Sequence, residues 1–316
     1  MKGLRAVIGA AAVLGLGCTA AEHPVPVRTC ARGFDASFVQ LGRRELAFDQ
    51  AAWRRALALL RAAGVELVVV QFTGDEAGPY DLRPLLAAAA AMEMKIFLGL
   101  ERDSSWPRPS AASRPAPPLD RPRRARALAR LCASSPVCAG WYLPQEIDDV
   151  SWAGREEVLR AHLVSSAAAL RRLAPGKPIA IAPYFTGALD PAAHARFWDA
   201  ILSEKSVDIV MLQDGVGTGR ATAEMAAGYL AALEPVAGAH GVELWSVAEL
   251  FRQVHGAPVD ERPFAAVPIH PATLRASLAA ERAVARRVIA FSVLDYMDPA
   301  RGGAARTLYQ DYTRCP

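Results

Sequence analysis

The chain has 316 residues, 52% of them hydrophobic and 22% charged, with a mean hydropathy of +0.14. That composition excludes a disordered chain, and the length suits either one large α/β barrel or two average domains. The formal charge is +4, of which Lys2 and Arg5 supply two, so the rest of the chain is close to balanced and carries no electrostatic footprint for nucleic acid.

Residues 1–21 read as an export signal: Lys2 and Arg5 form a charged start, and an apolar run follows from Ala6 to Leu16. About 11 apolar residues are too few to span a bilayer but suit the core of a signal peptide. Cys18 follows in Leu14-Gly15-Leu16-Gly17-Cys18, which resembles a bacterial lipobox, with Leu14 one position further from the cysteine than usual. Cys18 is therefore a lipidation candidate, and ordinary cleavage after Ala20 or Ala21 is the alternative. Both place the protein outside the cytoplasm, secreted or held at the membrane only through a lipid anchor. Residues 22–33 read as a tether, and residues 34–316 as one domain, expected to be monomeric.

Setting Cys18 aside leaves Cys30, Cys132, Cys138 and Cys315 in an oxidising compartment. Cys132 and Cys138 are six residues apart around a Ser-Ser-Pro turn, so a local bridge is sterically easy. Cys30 and Cys315 then pair by elimination. Neither spacing suits zinc, and the histidines form no HxH or HExxH arrangement, so no metal or other cofactor is expected.

Short apolar runs alternate with longer amphipathic stretches. Candidate strands cover residues 36–41, 66–72, 95–100, 140–144, 178–183, 208–213, 242–247 and 288–294. Helical segments lie between them at 49–63, 82–94, 121–133, 155–173, 192–203, 221–238 and 271–286. In the first of these Trp53, Leu57, Leu60 and Ala63 recur at helical spacing, and Gly64 supplies a stop. Eight βα units in about 285 residues favour a closed (β/α)8 TIM barrel over an open doubly wound sheet. No GxGxxG follows the first strand, which weakens a dinucleotide site. The Pro-rich stretch 104–122 interrupts the pattern and reads as a long loop.

In such a barrel the chemistry gathers at the carboxyl ends of the strands. Gln40, Gln71, Tyr142, Glu146, Tyr184, Gln213, Asp214, Trp245, Glu249 and Tyr296 all fall at or near those ends. Glycosidic cleavage needs two carboxyl groups beside the scissile bond. Sugar C–H faces lie well on aromatic rings, and amide and carboxylate side chains hold hydroxyls. Glu146 after strand four and Glu249 after strand seven are the catalytic candidates. That layout resembles the large clan of retaining barrel glycosidases, which places the acid/base after strand four and the nucleophile after strand seven. Gln145 departs from the Asn usual in that clan. Each residue also has a plainer reading: Glu146 as a cap, Glu249 as an ion-pair member, Asp214 as part of an Asp-Gly turn.

Several stretches together resemble the domain-of-unknown-function 4434 family of glycosyl-hydrolase-like bacterial proteins. They are Ser37-Phe38-Val39-Gln40, Lys95-Ile96-Phe97-Leu98-Gly99-Leu100, Gly140-Trp141-Tyr142-Leu143-Pro144-Gln145-Glu146, Ala182-Pro183-Tyr184-Phe185, Leu212-Gln213-Asp214-Gly215-Val216-Gly217 and Glu249-Leu250-Phe251. The resemblance implies a barrel and a carbohydrate substrate. Two functions follow from the residues: a two-glutamate glycoside hydrolase, in which Gln213 and Asp214 hold hydroxyls, or a non-catalytic polysaccharide-binding barrel.

Overall fold

The computed structural model describes residues 33–102, 122–203, 206–257 and 259–314. Cys18, Cys30, Cys315, the signal segment and most of the Pro-rich loop lie outside them.

Eight parallel strands close into a barrel: β1 (Ala36–Val39), β2 (Leu67–Val70), β3 (Lys95–Gly99), β4 (Cys138–Leu143), β5 (Ile179–Ile181), β6 (Ile209–Gln213), β7 (Glu243–Glu249) and β8 (Arg287–Phe291). Closure is made by β1, which pairs β2 at Ala36↔Leu67 and β8 at Ala36↔Ile289. Helices return the chain between strands: α1 (Gln50–Ala62), α2 (Arg83–Ala91), α3 (Pro122–Ser134), α4 (Glu156–Leu173), α5 (Pro191–Leu202), α6 (Ala223–Ala239) and α7 (Pro271–Arg282), with α8 (Gly303–Thr313) after β8.

Local chemistry explains where these helices start. Asp49 accepts the Ala52 N–H at 2.7 Å, and Asp190 accepts that of Ala193 at 2.7 Å, with Pro191 at the first helical position. Thr222 caps α6 in the same way. Strand alternation sorts the side chains into two layers. Phe38, Val69, Phe97, Tyr142, Met211, Trp245, Val247 and Ile289 fill the barrel. Val68, Val70, Ile96, Leu98, Trp141, Val210 and Val288 face the helices. Tyr142 is accommodated by small partners on the next strand, Ala180 and Ala182.

All eight expected strands are present; seven have bounds within two residues of those expected, and the eighth differs by more at its end. Strand eight ends at Phe291 rather than at 294, because the Ser292 side chain accepts the Asp295 N–H at 3.3 Å and starts a short helix, Val293–Tyr296. An antiparallel hairpin, Phe251–His255 with Ala265–Pro268, was not expected and follows β7 directly.

The ends of the described barrel meet. Phe34 stacks on Tyr312 with ring centroids 4.6 Å apart, and the Tyr312 hydroxyl accepts the Phe34 N–H and donates to the Ala63 carbonyl. Cys132 and Cys138 form the local disulfide, with their Cα atoms 5.2 Å apart. It ties the end of α3 to the start of β4, and both cysteines are buried. In the chain-entropy account a loop this short contributes about 2 kcal/mol. The double variant Cys132→Ser/Cys138→Ser should lose about that much in urea unfolding, and an unchanged midpoint would show that the bridge contributes nothing.

Candidate active site

A cleft of about 350 Å³ opens at the carboxyl ends of the strands. Its floor is the upper interior of the barrel, with Phe38, Tyr142, Val247 and Phe291. Its polar wall carries Gln40, Gln71, Gln213, Glu146 and Tyr184, and Tyr296, Phe251 and Phe264 make an aromatic side. Seven of the ten expected site residues therefore line one cleft. Among them Gln40 donates through Nε2 to Gln71 Oε1 at 2.6 Å, and Gln213 Nε2 donates to the Ala182 carbonyl at 2.9 Å, so two strand-end amides are pre-oriented.

Glu146 lies three residues after β4 and is exposed. The loop that carries it is strapped to the loop after β5. Asp148 and Tyr184 pair in a short parallel bridge, and the Tyr184 hydroxyl lies 3.4 Å from Asp148 Oδ2. Asp149 accepts the Thr186 N–H and hydroxyl at 3.0 and 2.8 Å, and His194 Nδ1 sits 2.8 Å from its other oxygen. Burial works against the Asp149 charge, but the hydrogen bonds from His194 and Thr186 outweigh it and hold the carboxyl below its ordinary range. Burial, reinforced by the Glu146 charge, pushes the Tyr142 hydroxyl well above its usual value, which keeps a neutral donor on the floor.

Glu249 ends β7 and is 4% exposed. It does not line the cleft itself. The residue that does is Thr218, whose backbone N–H donates to Glu249 Oε2 at 2.8 Å. The loop can come this close because residue 217 is glycine: a Cβ there would stand 2.3 Å from the Phe251 carbonyl oxygen and 2.7 Å from Glu249 Cβ. Burial, then the charge of Asp214, push Glu249 up to about 8. The Thr218 and Gly217 N–H groups and Arg220 favour its ionised form and only partly offset that.

Two expected binding residues stand elsewhere. Trp245 points into the barrel two residues before Val247, where it packs against Phe97 and donates to Glu243, and does not reach the cleft. Asp214 follows inward-facing Gln213 and so faces outward. It is 2% exposed and accepts the Val216 N–H at 3.0 Å and the Glu249 N–H at 3.4 Å. Its carboxyl meets that of Glu281 on α7, which is fully buried. Asp214 and Glu281 meet by sharing a proton, and the Ser246 hydroxyl together with Asp214 favours the ionised form of Glu281. Burial pushes both groups above the ordinary carboxylate range.

The residues not singled out from the sequence are Thr218, Arg220, Gln253 and Phe264. Gln253 locks the hairpin to the site: its N–H donates to the Gly217 carbonyl at 2.8 Å, and its Nε2 donates to the carbonyls of His255, Gly256 and Ala257. Phe264 is 58% exposed on that hairpin and meets Phe251 edge to face. Phe251-Arg252-Gln253-Val254-His255 lacks the apolar–polar alternation of a strand, so the sequence carried no clear signal for the hairpin. Among the described residues no group of three His, Cys, Asp or Glu could hold a metal.

Residues 34–302 match a family described as domain of unknown function, DUF4434. The chain belongs to this family. An Escherichia coli (strain K12) protein, uncharacterized protein YbcH, is 30% identical over 268 residues, covering 79% of this chain and 86% of its own. Among solved structures, a protein from Bacteroides thetaiotaomicron VPI-5482 described as a candidate alpha-L-fucosidase superposes with a TM-score of 0.69 at 18% identity. The match covers 95% of this chain and 98% of that one. A beta-galactosidase from the psychrophilic Marinomonas ef1 superposes with a TM-score of 0.58 at 12% identity, over 88% of this chain and 58% of that one. At such identities these neighbours show the fold, a (β/α)8 barrel shared with this DUF4434 chain.

The buried carboxyls have a thermodynamic signature. Glu249 and Glu281 hold protons in the folded protein that the unfolded chain releases near the ordinary glutamate pKa of about 4.3. Their contribution is fully present below that value and is lost as the pH rises through about 8 for Glu249, at up to about 1.4 kcal/mol per pH unit for each proton. Denaturant unfolding from pH 5 to 8 should therefore show falling stability, and Glu281→Gln should flatten the fall. A slope that is unchanged in the variant would contradict the shared-proton pair.

Proposed function

We propose that this protein is a glycoside hydrolase acting on glycans outside the cytoplasm through Glu146 and Glu249, by a retaining mechanism. The observation that carries the reading is the placement of these two glutamates at the ends of β4 and β7, around a cleft lined by amides and aromatic rings. The structural neighbours described as glycosidases support it.

In this reading a pyranose ring lies against Phe264, Tyr296 and Phe251, with its hydroxyls on Gln40, Gln71 and Gln213. Glu146, exposed at the rim, protonates the departing glycosidic oxygen and then takes a proton from the incoming water. Glu249 attacks the anomeric carbon. It must be ionised to do so, and burial sets that against it until the pH approaches 8. Arg220 and the Thr218 N–H favour the anion, and a developing positive charge on the sugar ring adds to them.

A second reading, a polysaccharide-binding barrel without catalysis, is favoured by one observation: Glu249 lies behind Thr218, leaving Glu146 as the carboxylate among the residues lining the cleft. Kinetics on glycans and activated aryl glycosides separate the two. Glu249→Gln should lower turnover by several orders of magnitude with the fold intact. Glu146→Gln should hurt most on poor leaving groups, with azide partly restoring turnover of an aryl glycoside. The wild-type kcat/KM should rise with pH through about 8, as Glu249 ionises. Wild-type rates in both variants would exclude the assignment, and glycan binding that survives both changes without any turnover would establish the binding barrel.

A further inference from the structure

Arg220 stands out among the arginines of the barrel. Its guanidinium lies 4.6 Å above the Tyr184 ring, and the residue is half-buried on the cleft wall. Several other half-buried arginines are spent on carboxylates: Arg44 on Asp298, Arg282 on Asp35 and Arg301 on Asp295; Arg287, like Arg220, lies over an aromatic ring, but Trp245 does not line the cleft. Among the described residues, Arg220 has no carboxylate within ion-pair distance and no hydrogen bond from its side chain to any acceptor. Its position is nevertheless fixed. Arg220 N–H donates to the Gly215 carbonyl at 2.9 Å, closing the turn after β6, and Gly215 takes a φ of +66° there. The Tyr184 ring beneath it is in turn held by the bridges to Asp148 and Gln213.

A pre-positioned guanidinium keeps five N–H donors in a planar fork that matches a carboxylate or sulfate. The polar side chains around it in the cleft are neutral amides and hydroxyls, apart from Glu146. Neutral sugar hydroxyls would use single N–H groups and leave the charge unanswered. An anionic substituent on the ring would engage the fork bidentately and answer its charge.

We propose that Arg220 is an anion-recognition residue and that the sugar taken by this cleft carries a carboxylate or sulfate group. The inference rests on the carbohydrate reading of the site but not on catalysis. A rival role exists, since the Arg220 charge also favours the ionised forms of Glu249 and Tyr184. A residue serving only those groups would affect charged and neutral ligands alike.

Calorimetry with defined pairs of ligands separates the two roles. Oligogalacturonate, oligomannuronate and chondroitin sulfate fragments would each be compared with the carboxyl-reduced or desulfated counterpart of the same backbone. At least one anionic member should bind about 10-fold or more tightly than its neutralised counterpart, with a preference that weakens as salt is raised. Arg220→Gln should abolish that ratio, and Arg220→Lys, which keeps the charge but loses the fork, should retain part of it. Thermal melts of both variants establish that they fold. Failure of every anionic ligand to bind, neutralised ligands binding equally well, or an Arg220→Gln loss equal for both members of a pair would overturn the proposal. Binding needs no turnover: an anionic preference without hydrolysis defeats the glycosidase reading alone, and hydrolysis of neutral glycans without an anionic preference defeats this inference alone.

Discussion

The pairing of β1 with both β2 and β8 closes the sheet on itself, and the site depends on that closure. In a parallel barrel all carboxyl ends emerge at one mouth, so Gln40, Glu146, Gln213 and Tyr296, far apart in sequence, line a single cleft. Closure also fixes which side chains turn inward. Tyr142 and Val247 form the floor, while Trp141 and Ser246, one residue earlier on the same strands, face outward. The interior is filled to its axis, so the cleft exists only above that packed layer, and the loops decide its shape.

Beneath the cleft, the protein keeps an acidic group where apolar side chains would pack with less penalty. Asp214 holds the backbone of Val216 and of Glu249, and Glu281 on α7 backs it from the helical layer. The helix shell and the carboxyl end of β7 are thereby coupled through a proton shared between two carboxyls. The same burial that raises Glu249 makes its charge sensitive to whatever enters the cleft. A single buried carboxylate near Arg220 responds strongly to a ligand charge because little water remains to screen it.

The strands were legible because each is a short apolar run bounded by Gly, Pro or polar residues, and the eight runs have the spacing of βα units. Strand eight was read too long. Val293 and Leu294 continue the apolar run, but Ser292 with Asp295 three residues on is a helix-start signature that the run concealed. Trp245 shows a different limit: alternation gives the face a residue takes, not its depth along the barrel axis. Parity could have excluded Asp214 from the cleft, since its neighbour Gln213 faces inward. The burial of Glu249 was not legible, because it results from Gly217, Thr218 and the hairpin held by Gln253, contacts made across more than thirty residues of sequence. Arg220 was missed for the same reason, as its stacking on Tyr184 joins two loops that only the barrel brings together.

The central claim is that Glu249 becomes covalently attached to a sugar during turnover. Incubation with activated 2-deoxy-2-fluoroglycosides, neutral and uronic, followed by mass spectrometry of proteolytic peptides, tests it directly, because the fluorine slows breakdown of a glycosyl-enzyme. The account predicts a single adduct on the peptide containing Glu249, absent in Glu249→Gln. Turnover of a glycoside substrate with no adduct at Glu249, or with an adduct on another carboxylate, would contradict it.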